Sequence, residues 1–173
     1  MNDGIMIAFL PSDGSWCQQD FPHMTLVYGG KIGEQSSGDF NSLIKDAISS
    51  ARLTSSFSLN VTGVQELGGD TTGNPAVDAL IFYPTPQLLL ARQTVEKWNA
   101  SQFSTFLPHA TIGPAGSAAQ IPYRQSLWPQ NAGPDVSYDK TYRGLPSSLY
   151  FNRVAACWGE QQVIFNISDM SSY

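Results

Sequence analysis

One six-residue pattern occurs twice in this chain. Phe21-Pro22-His23-Met24-Thr25-Leu26 and Leu107-Pro108-His109-Ala110-Thr111-Ile112 both read apolar, Pro, His, any residue, Thr, apolar. The histidines they contain are the only two in the protein. Each copy lies in a strand-like stretch, where side chains two apart point to the same face. His23 and Thr25 therefore share one face, and Met24 and Leu26 the other. The same holds for His109 and Thr111 against Ala110 and Ile112. The fold must bury both apolar faces and leave both His/Thr faces open. If the two halves are related by a pseudo-twofold, the two pairs converge on one cleft.

The rest of the sequence supplies elements to build those halves. Ile5–Leu10 reads as a first strand covered on both faces, linked by Pro11–Asp20 to a second, Pro22–Tyr28, closed by Gly29–Gly30. Asp39 opens a helix with Phe40, Leu43, Ile44, Ala47 and Ile48 on one side. Phe57–Leu67 alternates as a strand with a bulge at Gly63, and Gly68–Pro75 is a turn-rich loop. Val77–Tyr83 predicts a strand, Pro86–Ala100 a second helix and Phe106–Gly113 another strand, which carries the second motif. Pro114–Ser147 has no sustained period. Leu149–Trp158 and Gln161–Ile167 read as a terminal hairpin turned at Gly159–Glu160. This is an α+β pattern over one domain, residues 1–173.

The repeated residues suit one kind of chemistry. Imidazole has the side-chain pKa nearest neutrality, so one histidine accepts a proton while the other donates one. A threonine hydroxyl can donate to a non-bridging phosphoryl oxygen, where charge is held during displacement. Two acid–base groups on opposite sides of a phosphorus atom suit in-line displacement without a metal. A lone histidine is more often a structural residue at a sheet edge; two with matching neighbours are not. Neither histidine has a carboxylate or cysteine at ligand spacing, so no metal and no cofactor are expected. Cys17 and Cys157 lie far apart in sequence and read as free thiols.

Charge narrows the substrate. The net charge is -5, with nine Lys and Arg in the chain. Binding long nucleic acid rests on neutralising many phosphates. Lys140, Arg143 and Arg153 make one local cluster, enough for one or two phosphates. A small ligand is therefore the expected partner, with neither long nucleic acid nor membrane. The N-terminus has no basic region, and Ile5–Leu10 is too short for a signal or membrane segment. A cytoplasmic location is expected, and the sequons opened by Asn60, Asn99 and Asn166 read as accidental.

The two motifs resemble the tandem H-x-[ST]-h motifs of the 2H phosphoesterase superfamily. Members include 2′-5′ RNA ligase-like proteins, cyclic phosphodiesterases and viral enzymes that destroy cyclic oligonucleotide immune signals. His23-Met24-Thr25-Leu26-Val27-Tyr28 is similar to the first motif strand of short bacteriophage and actinobacterial members. Pro108-His109-Ala110-Thr111-Ile112 fits the second, and Ser148–Ile167 resembles the terminal hairpin. Many members carry a helix where this chain has only the Pro11–Asp20 link. RNA-processing members often have a basic residue where Gly113-Pro114 follow the second motif.

The resemblance implies two pseudo-symmetric lobes of antiparallel sheet with outer helices around a central cleft, and no metal. It implies that His23, Thr25, His109 and Thr111 are catalytic, with His109 as base and His23 as acid or the reverse. Trp16, in the link before the first motif, Trp158 and Glu160, at the terminal hairpin, and Tyr142 and Arg143, in the long loop, are candidates for holding the substrate. The expected activity is hydrolysis of small cyclic nucleotides or cyclic oligonucleotide messengers. For a viral counter-defence (anti-CBASS-type) enzyme the location is the host cytoplasm. The alternatives are processing or joining of RNA with 2′,3′-cyclic phosphate or 2′-5′ linkages, and a sponge that binds cyclic nucleotides uncut.

Overall fold

Every residue from Gly4 to Pro11 is buried, although all eight belong to one strand. A strand so enclosed must be covered on both faces, and the surrounding elements supply that cover. The computed structural model describes residues 4–35, 37–69, 75–100, 106–117, 136–137 and 145–172. Its strands are β1 (Gly4–Pro11), β2 (Met24–Lys31), β3 (Phe57–Leu67), β4 (Val77–Phe82), β5 (His109–Pro114), β6 (Val136–Ser137), β7 (Ser148–Trp158) and β8 (Gln161–Asn166). The helices are α1 (Phe40–Thr54) and α2 (Pro86–Thr94), with 3-10 turns at Glu96–Trp98 and Ile167–Ser172.

The strands are joined in the order β2-β1-β7-β3-β4-β5, all antiparallel, with β8 on β7 and β6 on β3. The long strand β7 is the hinge between halves. Its first residues, Ser148–Phe151, pair with β3, and Phe151–Trp158 pair with β1. The two motif strands, β2 and β5, stand at opposite ends of this order and yet approach each other. The expected two lobes are thus the two ends of one sheet that curls back on itself.

One face of the sheet is covered by α1 and α2, which also pack on each other. Ile5, Ile7 and Phe9 of β1, Met24 and Leu26 of β2, and Ala110 and Ile112 of β5 point into this core. Leu43, Ala47 and Ala51 of α1 meet them with Leu88 and Ala91 of α2. Each large apolar side chain buried there contributes about 1.5–3 kcal/mol. On the other face Met6, Ala8 and Leu10 join Ala155 and Cys157 of β7 in a second, smaller cluster.

Helix α1 begins as the sequence predicts, with the Asp39 carboxylate accepting the Ser42 N–H at 2.9 Å. Helix α2 is shorter than expected. Thr94 and Val95 are consecutive β-branched residues, poor helix formers. The chain tightens there into the 3-10 turn that delivers Trp98 to the core, fully buried. The expected bulge near Gly63 is present, with one extra β3 residue between the Val61–Phe82 and Gly63–Ile81 pairs. The terminal hairpin turns at Gly159–Glu160, where Gly159 has φ 64°, a left-handed conformation that glycine adopts without strain. Gly29–Gly30 does not end β2. The pair sits in a bulge, Gly30 at φ 82°, and the strand runs on to Lys31. Tyr142 and Arg143 lie outside the described residues.

Candidate active site

In both motifs the histidine stands at, or one step before, the start of its strand. His23 immediately precedes β2, and His109 is the first residue of β5. In each motif the proline fixes φ and pushes the residue before it into extended backbone. That brings the carbonyl of the pre-proline residue beneath the imidazole. His23 Nδ1 lies 2.7 Å from the Phe21 carbonyl oxygen, and His109 Nδ1 lies 2.7 Å from that of Leu107. A carbonyl only accepts, so Nδ1 carries the proton in both rings. In the neutral state each Nε2 is then left with a free lone pair. The Phe21 ring also packs on His23, centroids 5.0 Å apart, and limits its rotation.

His23, Thr25, His109 and Thr111 all line one cleft of about 880 Å³ between the two ends of the sheet. A volume of that order accommodates a small ligand. Neither threonine hydroxyl is committed to a strong partner. Thr25 Oγ1 has only the Met6 sulfur at 3.7 Å, and Thr111 has no side-chain hydrogen bond among the described residues. No group of three His, Cys, Asp or Glu side chains among the described residues is arranged to hold a metal ion.

Burial lowers the pKa of both imidazoles from the ordinary 6.5. The carbonyl acceptors pull in the opposite direction, and at His23 the neighbouring His109 adds to the depression. Both rings are thus neutral near pH 7 in the free protein. Cys157 also faces the cleft, but burial pushes its thiol up to about 11, so it is not a thiolate nucleophile.

The depressed pair gives a pH prediction. A productive pair has one protonated and one neutral ring, a form most populated between the two macroscopic pKa values. Both values lie below 6.5, so kcat/KM, which reports the free enzyme, is expected to peak below that pH and fall as pH rises. A bound phosphate favours the imidazolium, which moves the kcat optimum upward. Rate profiles at low and saturating substrate measure both, and a kcat/KM optimum above 6.5 contradicts the assignment.

Three residues expected to hold the substrate, Trp16, Trp158 and Glu160, are not among the residues lining the cleft. Trp16 is only 3% exposed; its ring belongs to the main core and its Nε1–H donates to the Asp13 carbonyl at 2.7 Å. Trp158 follows Cys157 on β7, so alternation turns it away from the cleft. Its ring packs edge-on to Trp98 and against Phe40 on the helical side. Glu160 is exposed in the hairpin turn and is not part of the cleft wall, although Gly159 and Gln162 beside it are.

The walls are instead formed in part by Phe21, Tyr28, Met6, Gln19, Asp20 and Val77. Tyr28 was hidden from simple alternation, which puts it with Met24 and Leu26. The β1–β2 register passes from Ile7↔Val27 to Ala8↔Thr25, making Leu26 an extra, bulged residue. Thr25 and Tyr28 therefore share the cleft face. Strand β5 repeats the device: Asp78↔Gly113 passes to Ala79↔Thr111, and Ile112 is extra. The bulge follows the threonine in both motifs.

A solved structure of Usb1 from Kluyveromyces marxianus superposes with a TM-score of 0.57 over 95% of this chain and 98% of that one, at 10% identity. The chain shares its fold with Usb1. The same protein solved with uridine monophosphate matches with a TM-score of 0.54 at 10% identity, covering 95% of this chain and 98% of that one. E. coli LigT complexed with NADP+ is similar over 96% of this chain and 95% of its own, at 13% identity and a TM-score of 0.48. No family model matches the sequence, and no curated protein does. The architecture is α+β: an antiparallel sheet, two α-helices among the described residues and a cleft between the sheet's ends.

Proposed function

We propose that this protein is a metal-independent phosphodiesterase that hydrolyses small cyclic nucleotides or cyclic oligonucleotides. The observation that carries this reading is the matched pair of imidazoles in one cleft, each with Nδ1–H held by a carbonyl and Nε2 without a hydrogen bond among the described residues. One Nε2 takes the proton of a water as its oxygen attacks phosphorus in line. The P–O bond on the far side breaks, and the leaving oxygen takes its proton from the Nε2–H of the other imidazolium. A diester and water become a monoester and an alcohol, and solvent exchange resets the two rings. Thr25 and Thr111 donate to the non-bridging oxygens, whose charge the cleft must hold.

Small substrates are favoured by the charge of the walls. Among the described lining residues there is no Lys or Arg, and the one acidic residue is Asp20. A polyanion gains little there. The presence of uridine monophosphate in a Usb1 structure of the same fold supports a nucleotide as occupant. Cyclic oligonucleotide signals, which viral enzymes of the resembled superfamily destroy, are the substrates we favour, and with them a counter-defence role.

A competition assay tests the substrate class. The enzyme is given a cyclic dinucleotide and a long RNA ending in a 2′,3′-cyclic phosphate at equal concentration. The dinucleotide is expected to disappear first, with a weak dependence on salt. Prior consumption of the RNA, with a steep salt dependence, replaces this reading with RNA-end processing.

A further inference from the structure

The bulged residues Leu26 and Ile112 lie in strands that are the two edges of the sheet. A bulge leaves its extra residue outside the regular ladder, so these carbonyls need donors from elsewhere. Each has one. The Gln18 N–H donates to the Ile112 carbonyl at 2.8 Å. The Leu26 carbonyl is met at 2.7 Å by Nη1 of Arg92, from the last turn of α2.

Arg92 is held in place by two further contacts. Its Nε donates to Glu96 at 2.8 Å, and its guanidinium carbon lies 4.9 Å from the centre of the Phe106 ring, in the lead-in to the second motif. The side chain is 13% exposed. A planar guanidinium with several donors can serve the carbonyl, the carboxylate and the ring together, whereas a lysine ammonium offers no flat face.

We propose that Arg92 is a positioning residue: by capping the Leu26 carbonyl it holds the bulge that keeps Thr25 and Tyr28 on the cleft face. Without that extra residue, strict alternation turns Tyr28 toward the side of Met24 and Leu26 and brings Val27 into the cleft. The second motif needs no such side chain, because a backbone N–H already caps Ile112. The kinetic part of this inference rests on the phosphodiesterase reading; the structural part does not.

The test uses Arg92→Met, Arg92→Lys and, as control, Glu96→Gln, which keeps the cap. Arg92→Met is expected to lower kcat about 10²-fold, the scale of a misplaced group, with KM little changed. Arg92→Lys should recover part of this loss. Combined with Thr25→Val, Arg92→Met should cost less than the product of the two single losses, because placing Thr25 is part of what the bulge does. Combined with Thr111→Val, the losses should multiply. Backbone NMR signals of Thr25–Tyr28 and the ring signals of His23 should move in Arg92→Met and stay in Glu96→Gln. If Arg92→Met does not fold, the same kinetic and NMR criteria apply to Arg92→Lys. Wild-type kcat in a folded variant, or multiplicative loss with Thr25→Val, overturns the proposal. If the wild-type protein shows no turnover, the phosphodiesterase reading fails and the NMR comparison alone decides on Arg92.

Discussion

Replacing either His23 or His109 by alanine is expected to remove most turnover, about 10²–10⁴-fold for each general acid or base. The two losses should not multiply. Each ring handles one proton of a single displacement, so once either is gone the other has no partner step, and the double variant should be little worse. The fold should survive, because each ring is half-buried at the mouth of its strand and bonds only to the carbonyl two residues before it. Circular dichroism and ligand binding check that point. A variant that keeps the wild-type rate shows its histidine to be structural.

The second large effect is expected at the threonines. Thr25→Val and Thr111→Val preserve shape and delete the hydroxyl, and each should lower kcat about 10²–10³-fold, the range for removal of one oxyanion donor. Stability should change little, since neither hydroxyl satisfies a strong partner in the free protein. Serine at the same positions keeps the donor and should keep much of the rate. Steady-state kinetics separate two roles. A rise in KM at constant kcat means that the hydroxyl binds substrate and transition state alike.

The repeat makes the heart of the site legible in the sequence. Two copies of Pro-His-x-Thr dictate the strand faces, whereas the carbonyl beneath each ring is seen only in the folded chain. Helix α1 was equally legible from its apolar spacing and its Asp39 cap. The walls were not. Tyr28 enters the cleft through a bulge whose position depends on pairing with β1, and a period of two cannot reveal it. Trp16, in the link before the first motif, and Trp158, in the terminal hairpin, read from sequence as candidate stacking platforms. Which side of the sheet each ring takes was decided by the turn at Asp13 and by the partners Trp98 and Phe40. The end of α2 depended on packing Trp98, which overrode the helical spacing that reaches Ala100.

The central claim is that two histidines, without a metal, break a phosphodiester in this cleft. It is tested most directly by incubating the wild-type protein with a cyclic dinucleotide in excess EDTA, beside the His23→Ala/His109→Ala double variant, and separating the products by chromatography. The account predicts a linear product from the wild type and none above background from the double variant. Turnover that vanishes in EDTA and returns with one divalent ion contradicts it, as does equal cleavage by the double variant.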